Sequence, residues 1–221
     1  MSSASSSIRP FAHLRVFKKG ANIFFQGEAP RHGAMVADGI VRSYTITNTG
    51  EERTLAFFTK DDILPLSWLM ETTSFSLFYY EAVSDVRMLH FSREDFKSHV
   101  LSQPGALADM FATLASDHTA AMLRVNGLAQ SRAEDKVAFT LYYLVFRYGQ
   151  LQPDGLHTIT IPLRHTTIAG LVGLSRESTT KILGKLQKQG IIDYAGGIYK
   201  VHKDQLENHI GEDAFRDVVL G

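Results

Sequence analysis

The chain has 221 residues, 44% of them hydrophobic, and its 23 Lys and Arg are matched by 23 Asp and Glu. That is enough apolar material for a sizeable core and for two domains, and no run of about 18 apolar residues is present to span a membrane. With no cysteine at all, disulfides, thiolate-held iron–sulfur clusters, cysteine zinc sites and thiol switches are excluded.

In chain order, the first ten residues, MSSASSSIRP, are serine-rich and carry no hydrophobic segment, so residues 1–10 are expected to form a disordered tail, not a signal peptide, and the protein to be cytoplasmic. Residues 11–103 hold short β-type runs: Asn22 to Phe25, Met35 to Val36, Val41 to Ile46, Thr54 to Phe58, Tyr79 to Val83 and Val86 to Phe91. Gly20, Gly27, Gly33, Gly39 and Gly50 punctuate them, as in a closed or rolled β structure. The aromatic cluster Trp68, Phe75, Phe78, Tyr79 and Tyr80 most often means β-roll core. The sharper alternative is an apolar effector pocket, with Trp68, Phe78, Tyr80 and Met122 as its candidate lining.

From about Pro104 a helical pattern begins, in which Leu107, Phe111, Leu114, His118, Ala121, Val125 and Leu128 recur at spacings of four and three. Such a seam pairs helices, and a homodimer is its simplest use. Periodicity alone serves almost equally well for a stripe packed on the chain's own β domain, and both uses can coexist on different faces. His118 reads as a register-setting or tolerated polar residue in the seam.

Thr166 to Ile192 has the spacing of a helix-turn-helix. Ile168, Leu171 and Val172 give a short first helix its apolar stripe, Gly173 permits the positive φ of a tight turn, and Leu174 fills the joint. Ser175 is placed to cap a second helix, with Glu177 where the helix dipole favours an anion. Ile182, Leu183 and Leu186 point that helix to the core, leaving Arg176, Glu177, Thr180 and Lys181 on the face that would meet a major groove. A charged helix face is usually only a solvated one. Here the neighbouring sequence argues otherwise: Tyr194 to Val201, with Gly196-Gly197 at its centre, reads as a hairpin wing. From Ile161 to Gln205 seven Lys and Arg stand against three Asp and Glu, a local charge of +4 in a neutral chain. That suits attraction to phosphates on one surface, and hence double-stranded DNA as a partner.

Enzyme readings fare poorly. No nucleophile elbow, phosphate loop or HExxH is present, and His13, His32 and His90 do not make the metal set of a cupin-like enzyme. The other rival is a signalling or protein-interaction module, which would not need the exposed Arg176, Glu177 and Lys181.

The frame GANIFFQGE (Gly20 to Glu28), DGIVRSY (Asp38 to Tyr44), GEERTLAFF (Gly50 to Phe58), DDILP (Asp61 to Pro65), EAVSDVRML (Glu81 to Leu89) and GLSREST (Gly173 to Thr179) resembles the Crp/Fnr family of bacterial transcription regulators, in the family's order and over nearly the whole chain. The resemblance implies an α+β fold: an N-terminal cyclic-nucleotide-binding-like β-roll (11–103), a long dimerisation helix with a hinge near Gln130 to Arg132 (104–131), and a C-terminal winged helix-turn-helix (132–221). It places Arg176, Glu177, Thr180 and Lys181 at DNA bases, with the lysine where an arginine is commoner. Thr166, Ser175 and Ser178 fall at the phosphate backbone. An inverted repeat of TGTGA-like or TTGA-like half-sites is implied, with RNA polymerase as a further partner through surfaces that carry no recognisable motif.

Departures from the family concern the signal. Members that bind cyclic AMP use a Gly-Glu pair and an arginine followed by Ser or Thr, but the stretch from Pro65 to Tyr80, PLSWLMETTSFSLFYY, has neither Gly-Glu nor any cation. The Thr-Ser pair that reaches the adenine aligns with Ala121 and Met122. Cyclic AMP in its usual mode is therefore not expected and the oxygen-sensing cysteines are lacking, while the nine histidines leave a haem-binding branch open without forming a recognisable haem motif. No cofactor or metal is identified, and the effector is unassigned.

Overall fold

The computed structural model describes residues 3–211. The chain divides into two compact units between Thr113 and Leu114, inside the long helix.

The first unit contains strands β1 (His13–Phe17), β2 (Asn22–Phe24), β3 (Gly33–Asp38), β4 (Val41–Ile46), β5 (Glu52–Phe58), β6 (Ile63–Leu64), β7 (Tyr79–Ala82) and β8 (Val86–Phe91). They form two antiparallel sheets ordered β1-β8-β3-β6 and β2-β7-β4-β5. Between the sheets lie Phe24, Ala34, Val36, Val41, Tyr80, Ala82, Val86 and Met88. The alternate residues Met35, Leu89 and Phe91 turn to the opposite face of β3 and β8. There they meet Trp68 and Leu69 of α2 (Leu66–Leu69), Phe96 of α3 (Arg93–Phe96), Val100, and Ala106 and Met110 at the start of α4 (Pro104–Ala129). Both faces of β3 and β8 are thus covered, which is why these strands read as apolar runs without alternation.

The expected disordered tail is not what forms. Residues Ser3–Ile8 make a short helix, α1, followed by a 3-10 turn at Arg9–Phe11. Ile8 is only 3% exposed within the cluster that holds Phe96 and Val100, and the Phe11 ring stacks on His99 with centroids 3.6 Å apart. A serine-rich composition signals disorder only when nothing apolar anchors the segment, and Ile8 and Phe11 anchor this one.

In the second unit, the rest of α4 is followed by α5 (Ala133–Tyr148), β9 (Gly149–Leu151), β10 (His157–Ile159), α6 (His165–Val172), α7 (Arg176–Lys188), β11 (Ile192–Ala195), β12 (Ile198–Val201) and α8 (Lys203–Ile210). The strands form one antiparallel sheet, ordered β11-β12-β10-β9. Val137, Leu141, Tyr142, Leu144 and Val145 of α5 supply the centre of the core, with Ile168, Leu171, Leu183, Leu186, Ile192, Tyr199 and Val201 packed in from the other elements.

Helix α4 has two faces. Ala106, Met110, Ala120 and Leu123 are buried within the chain. Of the expected seam, Leu107 is half-buried, while Phe111, Leu114, His118, Ala121, Val125 and Leu128 are exposed, Phe111 at 65% and Val125 at 57%. The apolar seam is therefore not what seats α4 on its own chain. The helix stops at Ala129, where Gln130 Nε2 donates to the Asn126 carbonyl at 3.2 Å, and extended backbone at Arg132 opens α5.

Candidate nucleic-acid interface

Helices α6 and α7 meet at Gly173, whose φ of +71° lies in the left-handed region that glycine enters without strain. Ser175 caps α7: the Ser178 amide donates to its Oγ at 3.1 Å, and its hydroxyl lies 2.9 Å from the Ser178 Oγ. Thr179 is fully buried, and its hydroxyl donates to the Ser175 carbonyl at 3.0 Å. With Leu183 and Leu186 it fixes the rotation of α7, so that Arg176, Glu177, Thr180 and Lys181 stand in solvent. Together with Ser175 these four line one concavity of about 530 Å³. Thr166 and Ser178 are exposed as well, on the first turns of α6 and α7.

The charges sort themselves by pairing. Of the seven cations from Ile161 to Gln205, Lys185 bonds Glu134 at 2.7 Å, Lys200 bonds Asp154 at 2.9 Å and Lys203 lies 3.3 Å from Glu207. Arg164, Arg176, Lys181 and Lys188 make no ion pair among the described residues, so the uncompensated charge lies on α6, α7 and their flanks. The wing turns at Gly196-Gly197, both with positive φ, between Ala195 and Ile198, which pair across the hairpin.

One residue of this surface escaped sequence reasoning. The His165 ring faces Tyr194, with centroids 4.8 Å apart, and its Nδ1 lies 3.1 Å from the Thr180 hydroxyl. Burial and the adjacent Arg176 guanidinium hold its pKa below the usual value. A lone histidine opening a helix carries no local signal for this role, because Thr180 lies 15 positions away.

Of the aromatic cluster, Trp68 and Tyr80 are core, Phe78 and Tyr79 are half-buried and Phe75 is exposed. Trp68 sits with Met35, Leu69 and Phe91 outside the sheet pair, its ring under the Arg93 guanidinium at 3.9 Å, whereas Tyr80 sits between the sheets with Phe24. Phe78 packs against the Tyr80 cluster, and Met122, half-exposed on α4, belongs to the other unit. The four candidate effector residues therefore do not converge within one unit. Neither does the stretch from Pro65 to Tyr80 fit a cyclic phosphate. Its only charge is the Glu71 carboxylate, which is engaged by Lys97 at 2.7 Å and Arg93 at 3.5 Å. Among the described residues no group of three or more His, Asp or Glu is placed to hold a metal ion, and no helix is long and apolar enough to cross a membrane.

A two-sheet β-roll and a winged helix-turn-helix define the class of two-part sensor and reader proteins. Family models agree with both parts: a cyclic nucleotide-binding domain matches residues 14–103, and a Crp-like helix-turn-helix domain matches residues 135–208. The cyclic AMP receptor protein of Thermus thermophilus is 28% identical over 89% of this chain and 87% of its own length. The global nitrogen regulator of Synechococcus elongatus is 25% identical over 81% of each. The solved structure of FixK2 from Bradyrhizobium japonicum superposes with a TM-score of 0.71 at 23% identity, over 89% of this chain and 96% of that one. The chain belongs to the Crp/Fnr family of transcription regulators, whose members bind DNA and act as dimers.

Proposed function

We propose that two copies of the chain, paired through the exposed α4 seam, read an inverted-repeat operator in double-stranded DNA, each copy laying α7 in the major groove of one half-site. The observation that carries this reading is the exposed row of Arg176, Glu177, Thr180 and Lys181 around one concavity, its two cations free of ion pairs among the described residues. Arg176 can fork onto guanine O6 and N7, Glu177 can accept from cytosine N4, and Lys181 supplies a single cation without the bidentate fork. Thr166, Ser175 and Ser178 lie where they would meet phosphates. Residues 104–131 act as the dimerisation helix and the break at 130–132 as its hinge. An effector other than cyclic AMP in the family's usual mode, bound in the β-roll, would bias the dimer through that hinge. The site of action is the cytoplasm, with RNA polymerase as the downstream partner.

The test is Arg176→Ala, read by fluorescence anisotropy on operator DNA. The variant is expected to lose about 1–3 kcal/mol of specific affinity and to relax preference at one base of each half-site. Unchanged affinity together with unchanged site preference would overturn the assignment of Arg176 as a base reader.

A further inference from the structure

Away from the stretch between Pro65 and Tyr80, strands β1, β2 and β8 and the loop after β2 line a cavity of about 420 Å³. That volume lies in the range of small-molecule sites. Its wall is mixed: Ile23 and Phe24 are apolar, while Arg15, Arg31, Glu28 and His90 bring polar groups.

His90 is the unusual member. It is 7% exposed, wedged between the rings of Phe17 and Phe24, with centroids 5.7 and 6.4 Å away, and neither Nδ1 nor Nε2 has a hydrogen-bond partner among the described residues. Buried polar groups normally find partners; both nitrogens are shielded from solvent in this structure, and a turn of the ring toward the cavity would offer its free N–H to a ligand. Burial, then the charge of Arg15 and the nearby His32, push its pKa down to about 4, so at neutral pH it keeps a single N–H donor. The guanidinium groups of Arg15 and Arg31 make no ion pair among the described residues. Leaving the imidazoles aside, two cations against the Glu28 carboxylate give the wall one net positive charge, which matches a monoanion better than a dianion. A planar carboxylate also suits guanidinium geometry.

We propose that this cavity binds a small organic monocarboxylate, its carboxylate taken by Arg15, Arg31 and the His90 N–H and its apolar body laid against Ile23 and Phe24. The site lies wholly within the β-roll unit and does not depend on the reading of α7, so it is tested without DNA.

The experiment is histidine-ring NMR on the full chain, titrated with phenylacetate and, in parallel, with inorganic phosphate. Phenylacetate is expected to give a saturable shift of the His90 resonances while those of His165 stay still. Arg15→Gln and Arg31→Gln are each expected to weaken that binding by about tenfold or more. His90→Phe, which keeps the wall packed against Phe17 and Phe24, is expected to weaken phenylacetate binding followed by calorimetry without lowering thermal stability. The proposal is overturned by the absence of a saturable shift, by equal binding in both arginine variants, or by phosphate matching phenylacetate in affinity.

Discussion

Ser175 aims the first turn of α7 with one side-chain oxygen. By tying the Ser178 amide and hydroxyl it fixes the backbone from which Arg176 and Glu177 project. His165 then braces Thr180 from α6, so the exposed row is positioned by one residue at its cap and one on the neighbouring helix. His90 provides the clearest titration in the chain. An unfolded His90 protonates near 6.5 and the folded one near 4, so as pH falls through that window the unfolded chain takes up a proton that the folded chain refuses. This contribution is present above the unfolded value and lost on acidification, by about 3 kcal/mol once pH 4 is reached. Replacing His90 by Phe should flatten the acid limb of urea-unfolding stability between those values by about that amount. Superimposable pH profiles for the two proteins would contradict the burial argument.

Among elements, the α6–α7 joint and the α4 seam make separable expectations. A Cβ at Gly173 would touch nothing within 4 Å, so Gly173→Ala is opposed only by its φ of +71°. The expected loss in denaturant unfolding is about 1–2 kcal/mol, the cost of a left-handed residue with a side chain. A larger loss would mean that packing, and not backbone conformation, constrains the turn. Because Phe111 and Val125 are exposed, the double change Phe111→Glu, Val125→Glu should leave each chain folded while shifting sedimentation from dimer to monomer. Persistence of the dimer would move the interface off the seam.

The helix-turn-helix was legible in the sequence because its determinants are local: a cap, a glycine and apolar spacing within a few turns. Thr179 was not, since a buried threonine bonded to the carbonyl four residues back looks in sequence like one more polar residue of the exposed face. Strand β1 escaped because it is an edge strand exposed on both faces at His13, Leu14, Arg15 and Val16, and so shows no inside and outside. Strands β9 and β10, three residues each, are too short to show a period. Trp68 and Tyr80, 12 positions apart, fall in different clusters, Trp68 of α2 beside Met35, Leu89 and Phe91 and Tyr80 of β7 between the sheets, because no sequence period reports on which side of a sheet a neighbouring element packs.

At the scale of the whole molecule, a chain of zero net charge acquires a basic surface by spending three cations of its last domain on local carboxylates and leaving Arg164, Arg176, Lys181 and Lys188 free of ion pairs among the described residues. In the proposed reading the four together draw this surface to phosphates, and Arg176 and Lys181, with Glu177 and Thr180, also select the sequence. The measurement that tests this account most directly is selection of bound sequences from a random DNA library, run in parallel with the native chain and with Arg176→Ala. The native chain is expected to enrich an inverted repeat with TGA-containing half-sites, and the variant to lose preference at one position in each half. No enrichment by the native chain, or the same motif enriched equally by both proteins, would contradict the claim that α7 reads DNA.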